Sequence, residues 1–150
     1  MLRVRVQEGD IDVAGEMAAL RDACPQAGAL GSFLGIVRST EAHPIEALTL
    51  EHYPRMTQAA IERMARDAIP RFALLGCTVI HRVGTLRPGA CIVLVLAASL
   101  HRQAALDGTG FLIDWLKTDA PFWKKEHFAG GGTAWVEARC TDEAATARWA

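Results

Sequence analysis

A chain of 150 residues is long enough for one domain with a real core, and 51% hydrophobic against 22% charged residues excludes a disordered chain. A net charge of −1 excludes whole-molecule attraction to nucleic acid or an anionic membrane, so any anion site must be built locally. No apolar run approaches the roughly 18 residues of a membrane span, and the first ten residues lack the apolar segment of a secretory signal, which makes the cytoplasm the expected location.

Residues 2 to 7 alternate as a first strand. Asp10 or Asp12 is placed to cap a helix through about Asp22, with Ile11, Val13, Met17, Ala18 and Leu20 as its apolar positions. Gly28 to Arg38 is a continuous small-and-apolar run, which predicts a buried strand ending at Arg38. After the polar loop Ser39 to Pro44, Ile45 to Tyr53 alternates partially and is expected as that strand's partner.

Pro54 sits where a helix tolerates proline, in the first turn. Met56, Ala59, Ala60, Met64 and Ala68 recur at helical spacing as its core stripe, and Pro70 bounds its end. Cys77 to Val83 and Ala90 to Ser99 are two further strands, joined by a segment whose Pro88-Gly89 pair is turn chemistry rather than a phosphate loop. His101 to Lys117 carries the next helical stripe (Ala104, Ala105, Leu112, Ile113 and Leu116), with Ser99 as a candidate cap. Phe122 to Phe128 and Thr133 to Arg139 form a hairpin around Gly130-Gly131-Gly132, and Thr141 to Trp149 a final helix capped by Thr141. Strand pairs that follow one another without a crossover helix imply an α+β domain with a mixed, largely antiparallel sheet and flanking helices.

Lys117 and Lys124 are the first candidates for chemistry. Pro121 lies between them and ends the helix, so Lys117 belongs to a helix end and Lys124 to an extended segment. Such a corner can aim two ammonium groups into one pocket, where each lowers the other's pKa toward the catalytic range; two solvated charges are the alternative. Arg38 ends a strand, and His101-Arg102 open a helix whose free N–H groups already favour anions. That pair suits a phosphate or carboxylate, or is a surface arginine beside a core-edge histidine. His52 and His81 end two other strands, where a hydrogen-bonded structural role is the ordinary one. Trp123 and Trp135 lie on the two arms of the last hairpin, to pack or to clamp a flat ligand. Cys24, Cys77, Cys91 and Cys140 show no Cys-x-x-Cys or ligand spacing, so neither a structural zinc nor a disulfide framework is expected. Hydrolase, Walker and dinucleotide motifs are all lacking.

Five collinear motifs then resemble the large, catalytic subunit of molybdopterin synthase: Leu48-Thr49-Leu50-Glu51-His52-Tyr53-Pro54, Val79-Ile80-His81-Arg82-Val83-Gly84, Ser99-Leu100-His101-Arg102, Lys117 through Pro121-Phe122-Trp123-Lys124-Lys125-Glu126, and Trp135-Val136-Glu137-Ala138-Arg139. The resemblance runs from about Gly28 to the C-terminus. It implies an α/β hammerhead-like fold and a homodimer of large subunits within a heterotetramer. Each large subunit would bind a small ubiquitin-like sulfur carrier through the carrier's C-terminal Gly-Gly thiocarboxylate. The implied reaction delivers two sulfurs to cyclic pyranopterin monophosphate, making the dithiolene of molybdopterin, with no metal and no cofactor of the subunit's own. Lys117 resembles the catalytic lysine and Lys124 the second functional lysine. Ile36, Val37, Arg38, His101, Arg102, Lys125 and Glu126 resemble the substrate-binding set, with Arg139 as a further member of an anion cluster or a structural ion pair. Ile36 and Asp119 stand where many relatives are basic, and Leu100 where alanine is common. A non-catalytic paralogue that binds the carrier or an anion is the alternative.

Overall fold

The computed structural model describes residues 1–136 and 140–150. In chain order the elements are β1 (Leu2–Gln7), α1 (Val13–Ala23), β2 (Ala29–Ile36), β3 (Ile45–His52), α2 (Pro54–Arg71), β4 (Leu74–Arg82), β5 (Gly84–Leu86), β6 (Cys91–Ser99), α3 (Arg102–Thr118), β7 (Phe122–Phe128), β8 (Thr133–Trp135) and α4 (Cys140–Ala147). The expected α+β architecture is present, but as two four-stranded sheets rather than one. The first has order β1-β4-β6-β2 and the second β5-β3-β7-β8. Every pairing is antiparallel except β1 with β4.

The first sheet is the middle of three layers. Strands β4 and β6 are buried on both faces, so both are predominantly apolar rather than alternating, although β4 also buries Thr78 and ends in His81-Arg82. Their period of two sends Cys77, Val79, Val93, Val95 and Ala97 toward α2 and α3. Ile80, Leu94, Leu96 and Ala98 face the opposite way, toward Leu20 and Cys24 of the α1 side. Each fully buried Leu, Ile or Val here contributes roughly 1.5–3 kcal/mol by leaving water. Asp12 caps α1 by accepting from the Gly15 N–H at 3.1 Å. Gly31 lets α3 lie flat on β2, since a Cβ there would stand 2.5 Å from the Ala105 carbonyl oxygen.

Several sequence expectations change in the fold. The second strand is not buried: β2 is the sheet's edge, with Leu34 37% and Ile36 53% exposed, and Arg38 lies two residues past it. Nor does β3 pair with β2; it joins the second sheet, between β5 and β7. A bulge opposite β7 between Ile45 and Ala47 shifts the alternation, so that Ile45, Leu48 and Leu50 share one buried cluster. The fully buried stripe of α2 is Thr57, Ile61, Ala65 and Ala68; of the expected stripe Ala68 is buried and Ala60 and Met64 pack at its edge, while Met56 is 54% exposed. Gly84-Thr85-Leu86 is a short strand of the second sheet, reached by a positive φ of 90° at Gly84. Ser99 does not cap α3; its hydroxyl donates to the Ala73 carbonyl, and His101 holds the cap position without a side-chain bond. α3 runs unbroken through Gly108 and Gly110, and α4 starts at Cys140, one residue before the expected cap.

Candidate functional site

The two sheets meet where α3 ends. Its final residue, Thr118, donates to the Asp114 carbonyl at 3.0 Å, and the Asp119 N–H closes the helix on Trp115 at 2.8 Å. The Phe122 N–H then bonds the Ala120 carbonyl, and the chain turns through Pro121 into β7. Lys117 therefore stands at a helix end and Lys124 on a strand, the corner that Pro121 dictates.

Both lysines line a cavity of about 500 Å³, within the usual range for a small-molecule site. Ile36, Val37, Arg38 and Thr40 form one wall, and His43, Ile45 and Leu48 another. Phe122, Lys124 and Glu126 come from alternate positions of β7, which place them on one face of the strand. Val136 closes the rim, its N–H bonded to the Lys124 carbonyl at 2.8 Å. Among the described residues, three cations (Arg38, Lys117, Lys124) and one carboxylate (Glu126) converge here, in a chain whose net charge is −1. Glu126 is engaged by His43, Nε2 to Oε2, at 2.8 Å. The surplus of positive charge suits a phosphate- or carboxylate-bearing ligand, which arginine can bind bidentately.

A smaller cavity of about 200 Å³ lies against the first. Lys117, Lys124, Ile36, Ile92 and Leu116 line both, so the lysine pair forms part of the wall between them. His81 lines the smaller cavity and is 5% exposed. Burial, followed by the charges of Lys124 and Lys117, pushes its pKa down to about 3, against a hydrogen bond with the Arg82 carbonyl that favours the charged form.

The structure thus brings together Ile36, Val37, Arg38, Lys117, Lys124 and Glu126. Lys125 lies on the other face of β7, with its ammonium 5.4 Å from the centre of the Trp135 ring. His101 and Arg102 are exposed at the opposite end of α3, about 22 Å from Lys117 at 1.5 Å rise per residue. Arg139 lies outside the described residues. Trp123 packs, meeting Tyr53 edge-on at 5.1 Å, and no ring contact between Trp123 and Trp135 is formed among the described residues. Sequence reasoning gave His81 only a structural role at a strand end and did not single out His43 or Phe122. Their partners are 41 and 83 residues away (His81–Phe122 and His43–Glu126), so no local pattern could have placed them.

Among the described residues no group of three His, Cys, Asp or Glu side chains is disposed to hold a metal, and no helix is long and apolar enough to cross a membrane. The profile of a family described as "MoaE protein" matches residues 6–119. The chain is 53% identical over 147 residues to the molybdopterin synthase catalytic subunit of Rhizobium meliloti (strain 1021), covering 97% of this chain and 94% of that one. It superposes with a TM-score of 0.84 on molybdopterin cofactor biosynthesis protein E from Burkholderia multivorans ATCC 17616, at 46% identity over 99% of this chain and 97% of that one. A complex of subunits 1 and 2 of molybdopterin-converting factor from Helicobacter pylori 26695 matches at a TM-score of 0.75 and 21% identity, covering 91% of each chain, and bears on the fold alone.

Proposed function

The chain belongs to the MoaE protein family, and we propose that it works as the catalytic subunit of molybdopterin synthase, a sulfurtransferase of molybdenum cofactor biosynthesis. Its substrates are the C-terminal thiocarboxylate of a small ubiquitin-like carrier and cyclic pyranopterin monophosphate. The observation that carries this reading is the convergence of Lys117, Lys124 and Arg38 on one cavity of about 500 Å³.

The roles proposed for each group are those the family resemblance implies, and the position of each group is compatible with them. Arg38 takes the substrate phosphate, since its guanidinium fork matches two phosphate oxygens and it stands on the exposed rim. Lys117, on the wall between the two cavities, is the general acid/base: it protonates an oxygen leaving the pterin side chain as the thiocarboxylate sulfur attacks. Lys124 holds the anionic reactants beside it, and Glu126 with His43 fixes the far side of the pocket. A thiocarboxylate and a phosphate both carry negative charge, and a cavity with three cations lowers the cost of bringing them together. The proposed location is the cytoplasm, which agrees with no described helix being long and apolar enough to cross a membrane.

The working unit is a homodimer of these chains, each with its own carrier. Two features support it: His101 and Arg102 are exposed far from Lys117, and Leu34, Ile36 and Leu100 present apolar side chains to solvent. A second copy brings its His101 and Arg102 to the first copy's phosphate pocket. Mixing the purified chain with thiocarboxylated carrier and the pyranopterin tests the whole reading. Molybdopterin is the expected product; a folded chain that binds carrier yet yields none would instead be a non-catalytic binding module.

A further inference from the structure

The last turn of α3 carries Lys117, and α4 docks on that same turn. The Thr118 and Thr146 hydroxyls meet at 2.8 Å, and Thr146 donates to the Asp114 carbonyl at 3.1 Å. Just past α4, the Trp149 ring stands edge-on to Phe72 and Phe111, with centroids 5.4 and 5.8 Å away. The Asp114 carboxylate faces this segment. Its Oδ2 accepts from the Trp149 indole N–H at 2.7 Å and pairs with the Arg148 guanidinium at 2.9 Å, and the side chain is only 17% exposed.

Residues three or four apart on a helix are neighbours on its surface, and an acid N-terminal to a lysine is the favourable order. The positions at that spacing from Lys117 are Ile113, Asp114, Ala120 and Pro121, so Asp114 is the one carboxylate there able to capture its ammonium. Asp119 stands two residues on, a spacing that does not face it. Among the described residues, however, Asp114 is paired with Arg148 and Trp149, and Lys117 lines the cavity instead.

We propose that Arg148 and Trp149 are positioning residues for Lys117: by occupying the Asp114 carboxylate, they keep it from drawing the Lys117 ammonium out of the cavity. A carboxylate so far from water needs partners, because leaving it unmatched costs more than leaving an exposed one. Without the two from beyond α4, the cation nearest along its own helix is Lys117. Capture would cancel the charge that the anionic reactants require. Glu126, the cavity's own carboxylate, is likewise engaged by another group, His43.

This inference rests on the proposed assignment of Lys117 as the acid/base, and two readouts keep the two apart. Arg148→Ala with Trp149→Phe removes both partners of the carboxylate and keeps a ring against Phe72 and Phe111. With thiocarboxylated carrier and pyranopterin, this double variant should lose about tenfold in kcat at little changed KM, the lower end of what a charge-assisted hydrogen bond contributes. Adding Asp114→Asn removes the capturing charge and should restore kcat. A kcat unchanged in the double variant, or lowered and not restored by Asp114→Asn, overturns the proposal, since loosened packing of α4 would persist in the triple variant. The second readout needs no turnover and spares Trp149. Lys117, Lys124 and Lys125 are the chain's only lysines, so in lysine-labelled protein the Lys117 Cε–Nζ signal is assigned by its loss in Lys117→Ala. It should move in Arg148→Ala and return when Asp114→Asn is added. A signal indifferent to Arg148→Ala, or one that moves and does not return, overturns the proposal. Absence of product from the wild type, with the signal still responsive, would sink the assigned reaction and leave the capture standing.

Discussion

His81 of the first sheet and Phe122 of the second stack face to face at 3.9 Å, and this contact ties the sheets together two residues from Lys124. The ring in that stack is neutral, with its pKa near 3 instead of 6.5. The unfolded chain binds a proton there below about pH 6.5, and the folded chain does not until about pH 3. Stability is therefore complete above the unfolded value and falls as the pH drops through this window, by up to about 1.4 kcal/mol per pH unit. Denaturant midpoints measured from pH 7 to pH 4 should show this loss in the wild type and a shallower one in His81→Gln. Parallel curves would contradict a neutral buried His81.

Removing Lys117, the proposed acid/base, should cost turnover far more than binding. Lys117→Ala is expected to lower kcat by roughly 10²–10⁴, the usual contribution of a positioned proton donor, with pyranopterin affinity changed much less. Steady-state kinetics with saturating thiocarboxylated carrier read this directly; turnover equal to wild type would rule Lys117 out.

Arg38 should behave in the opposite way. Loss of a hydrogen bond to a charged group costs about 1.5–3 kcal/mol, so Arg38→Ala should weaken pyranopterin binding by roughly 10- to 100-fold and spare kcat. Equilibrium binding of the phosphorylated substrate checks the number, and unchanged affinity would remove Arg38 from the phosphate site.

The distance along α3 makes a sharper test of the dimer. A chain carrying Lys117→Ala and a chain carrying Arg102→Ala should each be inactive alone. If a site combines Lys117 of one copy with Arg102 of the other, exchanging subunits between them restores one intact site per mixed dimer. Activity that stays at background after exchange would place both residues' work within a single chain.

Packing under α3 should also matter at a distance. Gly31→Ala sets a methyl 2.5 Å from the Ala105 carbonyl oxygen and the Thr109 hydroxyl, so α3 must lift from β2. Overpacking of this kind costs about 1–3 kcal/mol, and thermal melting should show it. Because the same helix carries Lys117 at its end, kcat should fall as well.

Much of this was written locally. Pro121 forces a corner between Lys117 and Lys124 wherever the rest of the chain goes, and the apolar runs of β4 and β6 read as strands from their residues alone. Other features had no local signature. The edge position of β2 depends on which strands pair, and the burial of each α2 position on how that helix leans against β1 and β4. Lys125 looked equivalent to its neighbours until the β7 register put it on the far face, beneath Trp135.

The sequence by itself determined the kinds of element, the corner, and the cations that an anionic substrate needs, because backbone sterics and hydrophobic period act over a few residues. Tertiary structure alone decided that Arg38, Lys117, Lys124 and Glu126 share one cavity while His101 and Arg102 do not. It also decided that His81 becomes a buried neutral imidazole beside the lysines. Convergence and burial arise from pairings between distant segments, and a side chain's protonation follows the dielectric and charges that those pairings place around it.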